Sequence, residues 1–279
     1  MDFQINSHAN DCIREKDDGI RHTVKGRAAA RSPVVMVWHA SPDGAGLAAA
    51  EVHVWRADLD QPTDRMEQLR ATLSGEEGAR VTRLGGQAQC NRFVVARGVL
   101  RVLLGRYLSC DPNRVHLGTD EGGKPYLEDD ALSFNLSHAG ALGLFAFTLD
   151  RRIGVDVESV SRNVAVDRIA RRFFATSEAS RLHSLQEGER HRAFLRCWTH
   201  KEAYLKATGE GIASGALSRF EVSVDPRLPA RLERVEGAAD EVERWRLEDL
   251  PLDGSDYIGA VCVEGQDWRL RCLQFGGET

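Results

Sequence analysis

The groups in this chain best able to do chemistry are acidic side chains at telling intervals. Gly154-Val155-Asp156-Val157-Glu158 follows an apolar run, Leu142 to Leu149, and a charged turn, Asp150-Arg151-Arg152. Ile153, Val155 and Val157 alternate with Gly154, Asp156 and Glu158, the period-two pattern of a half-buried strand. That spacing puts both carboxylates on one strand face, about 7 Å apart. Hard divalent cations such as Mg²⁺ take oxygen ligands, a few from protein and the rest from water and phosphates. A strand whose outer face is merely acidic has the same pattern. A third carboxylate, Glu202, lies on a helix expected from His191 to Ala207, beside the apolar stripe of Phe194, Leu195, Trp198, Tyr204 and Leu205. Such a group is costly unless it is paired or metal-bound. An i,i+4 ion pair with Lys206 would satisfy it as well as a metal would.

Other segments carry weaker signals. Gly122-Gly123-Lys124-Pro125 reads as a turn, where glycines admit a ligand close to the backbone and a lysine can hold a phosphate. The same four residues also make a good turn with no ligand at all. Ser137 and His138 sit at a tight junction between Phe134-Asn135-Leu136 and the apolar strand Ala141 to Leu149. Thr176-Ser177-Glu178 offers a cap for a helix running through Leu182 and Leu185. Arg92, Arg97, Arg101 and Arg106 punctuate an amphipathic helix from Asn91 to Leu108, most of them on its solvated face.

The elements that must position these groups are legible in outline. Residues 1 to 50 lack periodicity and read as a mostly disordered extension, with Ser41 to Gly46 as linker and the fold beginning at Glu51. Val52 to Ala57 alternates like a strand; Arg65 to Leu73 and Ser74 onward read as helices, Ser74 and Glu77 forming a capping box. Val115-His116-Leu117 reads as a short strand, and Val166 to Phe174 as an amphipathic helix. Phe220 to Val224, Trp245 to Leu247, Tyr257 to Val263 and Trp268 to Phe275 read as antiparallel strands joined by polar turns. Helices and strands in both halves make the class α+β.

At 279 residues the chain suffices for one large domain or two medium ones. A net charge of -5 argues against a nucleic-acid or anionic-membrane binder, which needs a basic footprint. The six cysteines form no C-x-x-C pair and no zinc spacing. No apolar run approaches the roughly 18 residues of a membrane span. The polar start Met1-Asp2-Phe3-Gln4 has no signal-peptide core, so reduced thiols and a cytoplasmic location are expected.

Order and spacing join these pieces. Gly123-Lys124-Pro125, Asn135-Leu136-Ser137-His138, Gly154 to Glu158, Phe173-Phe174 with Glu178, and Trp198-Thr199-His200-Lys201-Glu202-Ala203-Tyr204-Leu205-Lys206 form one collinear set. The set resembles the Sfp-type 4′-phosphopantetheinyl transferases over roughly Val52 to Phe275, most densely from Lys124 to Gly211. The resemblance implies a pseudo-dimer of two similar α+β subdomains, residues 51–152 and 153–279, with the active site in the cleft between them.

It also implies a reaction. Such enzymes, holo-[acyl-carrier-protein] synthases in the broad sense, move the 4′-phosphopantetheine arm of coenzyme A onto a serine of an acyl, polyketide or peptidyl carrier protein and release 3′,5′-ADP. By this resemblance Asp156, Glu158 and Glu202 hold Mg²⁺, and Lys201 and Lys206 meet the pyrophosphate. Ser137 and His138 face the ADP portion, Lys124 and Pro125 the nucleotide, and Arg80, Arg83 and Arg92 the 3′-phosphate. Glu202, directly or through a bound water, is the expected base for the serine proton, with Glu178 the alternative. Arg168, Arg171, Arg172 and Arg181 would dock an acidic helix of the carrier. A monomer without nucleic-acid or membrane partners is expected. Glu77 departs from the pattern, standing where some relatives carry a lysine. A non-catalytic binder of coenzyme A would have dispensed with a carboxylate or the Lys-Glu pair. An unrelated Mg²⁺-dependent phosphotransferase gives no reason for Asn-Leu-Ser-His and Gly-Lys-Pro in this order.

Overall fold

The computed structural model describes residues 38–40, 46–119, 125–127, 132–210, 215–252, 254 and 256–276. Most of the expected extension, and Lys124, lie outside the described residues. The chain opens with β1 (His39–Ala40) and β2 (Glu51–Asp58), then α1 (Thr63–Arg70), α2 (Gly75–Val81) and α3 (Gln87–Leu108). Two short strands, β3 (Gly118–Thr119) and β4 (Pro125–Tyr126), precede the longer β5 (Leu132–Ala139), β6 (Leu142–Leu149) and β7 (Ile153–Ser159). Helices α4 (Val166–Phe173), α5 (Thr176–Ser184) and α6 (Glu187–Thr208) follow. The rest comprises β8 (Phe220–Val222), β9 (Leu232–Val235), α7 (Glu241–Arg244), β10 (Trp245–Asp249), β11 (Tyr257–Glu264) and β12 (Arg269–Gln274). This is a mixed helix-and-sheet architecture.

Among the described residues the strands form a five-stranded sheet, β1-β12-β2-β6-β5, a three-stranded sheet, β10-β11-β7, and the ribbons β3-β4 and β8-β9. The long helix α3 packs Val95, Val99 and Leu103 against Trp55, Phe145 and Phe147 of the larger sheet. The other face of that sheet, through Val52, Val54, Leu144 and Ala146, meets Val155, Val157, Val261 and Val263 of the smaller one. On the far side Ala260 and Cys262 lie beneath Trp198, Ala203 and Tyr204 of α6. Burying apolar side chains between and outside the sheets fixes which face of each strand turns where. Because Ile153, Val155 and Val157 enter the inter-sheet core, Gly154, Asp156 and Glu158 turn toward α6.

Gly154 makes that approach close. A Cβ at this position would lie 2.1 Å from the Ala203 carbonyl oxygen and 2.5 Å from the Ala207 nitrogen, both helix backbone. Gly154→Ala is therefore expected to cost about 1–3 kcal/mol through overpacking and to lift α6, with Glu202 and Lys206, off the strand. The guanidinium unfolding midpoint should fall accordingly; an unchanged midpoint would refute the contact.

Three features depart from expectation. Val115-His116-Leu117 is not a strand; pairing begins at Gly118–Thr119, which meets Pro125–Tyr126. β12 is not antiparallel to its sequence neighbours but pairs parallel with β2, Leu270 against Val52 and Cys272 against Val54. The segment 153–279 thus sends its last strand into the larger sheet, because alternation shows that a strand has a buried face without naming its partner. Ordered packing also begins before Glu51: β1 pairs parallel with β12, and the Trp38 indole donates to the Pro251 carbonyl at 2.8 Å.

A buried polar network braces the larger sheet. The Glu51 carboxylate can only accept, so His53 donates Nε2–H to it at 3.2 Å; Nδ1 then accepts the Tyr107 proton at 2.8 Å, and that hydroxyl accepts from Trp55 Nε1 at 2.7 Å. Burial holds the His53 pKa below its usual 6.5. The unfolded chain then takes up a proton before the folded one does, so this contribution is complete above pH 6.5 and lost as pH falls below it. Stability should decline by up to about 1.4 kcal/mol per pH unit in that window. His53→Gln should flatten the decline in unfolding curves taken between pH 7 and 5; an identical slope would assign it elsewhere. Among the described residues no helix is long and apolar enough to cross a membrane.

Candidate active site

The candidate site lies where β5 and β7, edge strands of different sheets, run side by side. Paired to β11 on one side only, β7 needs partners for its outward backbone groups. Asn135 of β5, buried at 3% exposure, accepts the Val155 N–H at 2.9 Å through Oδ1. Lys206 of α6 donates to the Val155 carbonyl at 3.2 Å. The same ammonium reaches Asp156 Oδ1 at 2.6 Å and the Ser137 hydroxyl at 3.0 Å, and Ser137 in turn donates to Asp156 Oδ1 at 2.8 Å. Side chains from one helix and two strands thus sew the sheets together at the residues the motifs contain.

The expected carboxylates meet here. Asp156 and Glu202 are each 5% exposed, and Glu158 forms an ion pair with Arg162, whose guanidinium also lies 5.5 Å from the centre of the Trp198 ring. Burial and the Asp156 charge push the Glu158 carboxyl up to about 7, against the pull of Arg162 and Lys206. Glu202 is raised in the same way by burial and by Asp156, with Lys206 opposing. Among the described residues, Asp156 Oδ2 is buried without a hydrogen-bond partner. Mutually repelling, poorly hydrated carboxylates with an unsatisfied oxygen suit a cation beyond the two already present. Among the described residues no three such side chains already surround one point at ligand spacing, so a metal would have to draw them in. Lys206 is not simply the i,i+4 partner of Glu202 that its spacing allows; its ammonium is held on Asp156.

Two expected site residues are placed elsewhere. Glu178 and Lys201 are both 0% exposed and face each other in the core, Nζ to Oε2 at 2.8 Å. Glu178 also accepts from the Ala175 and Val222 amides at 3.0 and 2.8 Å, and Lys201 donates to the Leu217 and Phe220 carbonyls at 2.8 and 2.6 Å. Both are engaged by core contacts, apart from the roles expected of Glu178 as a base and of Lys201 on the pyrophosphate.

The basic residues of the first half are partly committed as well. Arg92 makes a bidentate pair with Asp60, at 2.7 and 2.8 Å. Arg80 of α2 lies 5.5 Å from the centre of the Phe93 ring, and Arg83 is exposed, its Nε donating to Ala79 at 3.3 Å. Glu77 completes the capping box with Ser74 and holds Arg101 at 2.6 Å, which accounts for an acid at this position. Pro125 is buried in β4 and His138 is exposed at the end of β5. Arg168, Arg171 and Arg172 are exposed, whereas Arg181 is tied to Glu221 and Glu233. Asn135 and Arg162 were not anticipated. Asn135 stood within a recognised motif, but Arg162 lies in an irregular turn where no periodicity marks it.

Comparison with known proteins agrees across both halves. Residues 152–262 match the family model of the 4′-phosphopantetheinyl transferase superfamily, and residues 55–149 match that of the 4′-phosphopantetheinyl transferase N-terminal region. The chain is 39% identical over 236 residues to 4′-phosphopantetheinyl transferase HetI of Nostoc sp., covering 83% of this chain and 95% of that one. A putative 4′-phosphopantetheinyl transferase of Synechocystis sp. is 36% identical, over 71% of this chain and 79% of its own. 4′-Phosphopantetheinyl transferase Sfp of Bacillus subtilis is 29% identical, over 56% and 69% respectively.

Proposed function

This chain belongs to the Sfp-type 4′-phosphopantetheinyl transferase family, and we propose that the β5–β7 seam is its catalytic centre, in a cleft between two similar α+β halves. The enzyme transfers 4′-phosphopantetheine from coenzyme A to a serine of an apo carrier protein, giving the holo protein and 3′,5′-ADP. The serine oxygen bonds to the phosphorus that carries pantetheine, and the bridging P–O bond of the pyrophosphate breaks, 3′,5′-ADP leaving with that electron pair.

Asp156, Glu158 and Glu202 would hold Mg²⁺. Bound there, the ion would neutralise charge on the transferring phosphoryl group and on the leaving 3′,5′-ADP. Glu202, beside Lys206 on α6, takes the serine proton. Lys206 adds positive charge next to the pyrophosphate while staying anchored to the strand. His138 and Pro125 would face the nucleotide, with Arg80 and Arg83 for the 3′-phosphate; Arg92 can join them only by leaving Asp60. Exposed Arg168, Arg171 and Arg172 suit the acidic helix of an acyl, polyketide or peptidyl carrier. The observation that carries this reading is the unsatisfied, buried Asp156 Oδ2 among carboxylates that repel one another.

Intact-mass spectrometry of an apo carrier protein incubated with this chain, coenzyme A and Mg²⁺ tests it. One added phosphopantetheine, abolished by EDTA, is the expected result. No shift across several carrier classes, despite coenzyme A binding, would overturn the assignment.

A further inference from the structure

The Ser137 hydroxyl has one proton, and its geometry shows where that proton goes. Asp156 Oδ1 is an acceptor at 2.8 Å, and the Lys206 ammonium at 3.0 Å can only donate, so Ser137 donates to Asp156 and accepts from Lys206. A phosphate oxygen of a nucleotide at neutral pH chiefly accepts, so a serine that gripped one would have to give up Asp156. Meanwhile the two oxygens of Asp156 are unequal. Oδ1 receives both Ser137 and Lys206, and Oδ2, buried, receives nothing from the described residues.

We infer that Ser137 is a positioning residue: it locks the Asp156 carboxylate so that Oδ2 alone is presented to the metal. The inference rests on the catalytic-centre reading above and goes beyond it, giving the hydroxyl of this serine a task on Asp156. The lock is well founded. Ser137 sits inside the β5–β6 ladder, in register with Leu144, so its Cβ is held by the sheet. Asn135 lies two residues earlier, on the same strand face, and fixes the neighbouring Val155 amide. Two side chains of β5 therefore set both the backbone and the carboxylate of β7 across a seam that no strand ladder spans. Groups that orient a ligating carboxylate in this way typically govern metal affinity by 10- to 100-fold.

Titration of Mn²⁺, as a paramagnetic stand-in for Mg²⁺, into the full chain saturated with coenzyme A separates the roles. Followed by electron paramagnetic resonance, Ser137→Ala should bind Mn²⁺ about 10- to 100-fold more weakly. Ser137→Thr, which keeps the hydroxyl, should recover to within a few-fold, and coenzyme A affinity in EDTA should be the same for all three proteins. Unchanged Mn²⁺ affinity in Ser137→Ala, above all with weakened coenzyme A binding in EDTA, would overturn the positioning role alone. Failure of the wild-type chain to bind Mn²⁺ at all would overturn the metal reading beneath it as well.

Discussion

Asp156→Ala is expected to lower carrier modification by about 1,000-fold or more while leaving the chain folded. A divalent ion on a phosphoryl-transfer site supplies several kcal/mol of charge stabilisation, and each 1.4 kcal/mol is about tenfold in rate. Asp156 presents an oxygen that no other described residue satisfies, so on the proposed reading its loss removes the best-placed ligand of the set. The fold does not depend on it. The bond joining the sheets runs from Val155 N–H to Asn135, and Lys206, 28% exposed at its side chain, keeps the Val155 carbonyl and the Ser137 hydroxyl. Removing Asp156 also removes a charge that pushes Glu158 and Glu202 upward, which offsets part of what is lost. Transfer followed by intact mass, with guanidinium unfolding of the same protein, checks both halves of the expectation. Wild-type turnover in Asp156→Ala, or in Glu202→Ala, would remove these residues from any role in holding a metal.

How much of this was legible depends on range. Period-two alternation at 153–158 located a strand and set both carboxylates on one face, because a one-residue pleat is a local property. The Ser74–Glu77 capping box likewise closes within four residues. What could not be read is what lies opposite. The acidic face of β7 looked like a solvent face, yet α6 covers it, and only the absence of a Cβ at Gly154 hinted at so close an approach. Glu202 beside an apolar stripe posed an even alternative between metal and an ion pair with Lys206, which helical spacing allows. Lys206 also reaches Asp156, 50 positions earlier, a contact made by the seam. β12 deceived for the same reason, since its alternation is satisfied equally by either sheet.

Lys201→Met should destabilise the protein by about 3–5 kcal/mol, the cost of breaking a buried ion pair from one side. Lys201 has three ammonium donors and uses them on Leu217, Phe220 and Glu178, between the rings of Phe220 and Phe174 at 4.3 and 5.4 Å. Burial already raises the Glu178 pKa in spite of Lys201 and two backbone amides, so without the lysine that carboxylate is stranded. The double change Glu178→Leu with Lys201→Met should recover much of the loss, since paired apolar replacements avoid the uncompensated charge. Full stability in Lys201→Met, with transfer abolished, would instead return this lysine to the pyrophosphate. The adjacency of Lys201 and Glu202 then acquires a physical reason. Neighbours on a helix of 3.6 residues per turn point about 100° apart, so fixing Lys201 in the core fixes the direction in which Glu202 projects. An anchor buried on one side and a carboxylate aimed at β7 on the other make α6 a rigid arm. The cost of desolvating the Lys201–Glu178 pair is then offset by the precision with which Glu202 is aimed and, one turn on, Lys206 meets Asp156.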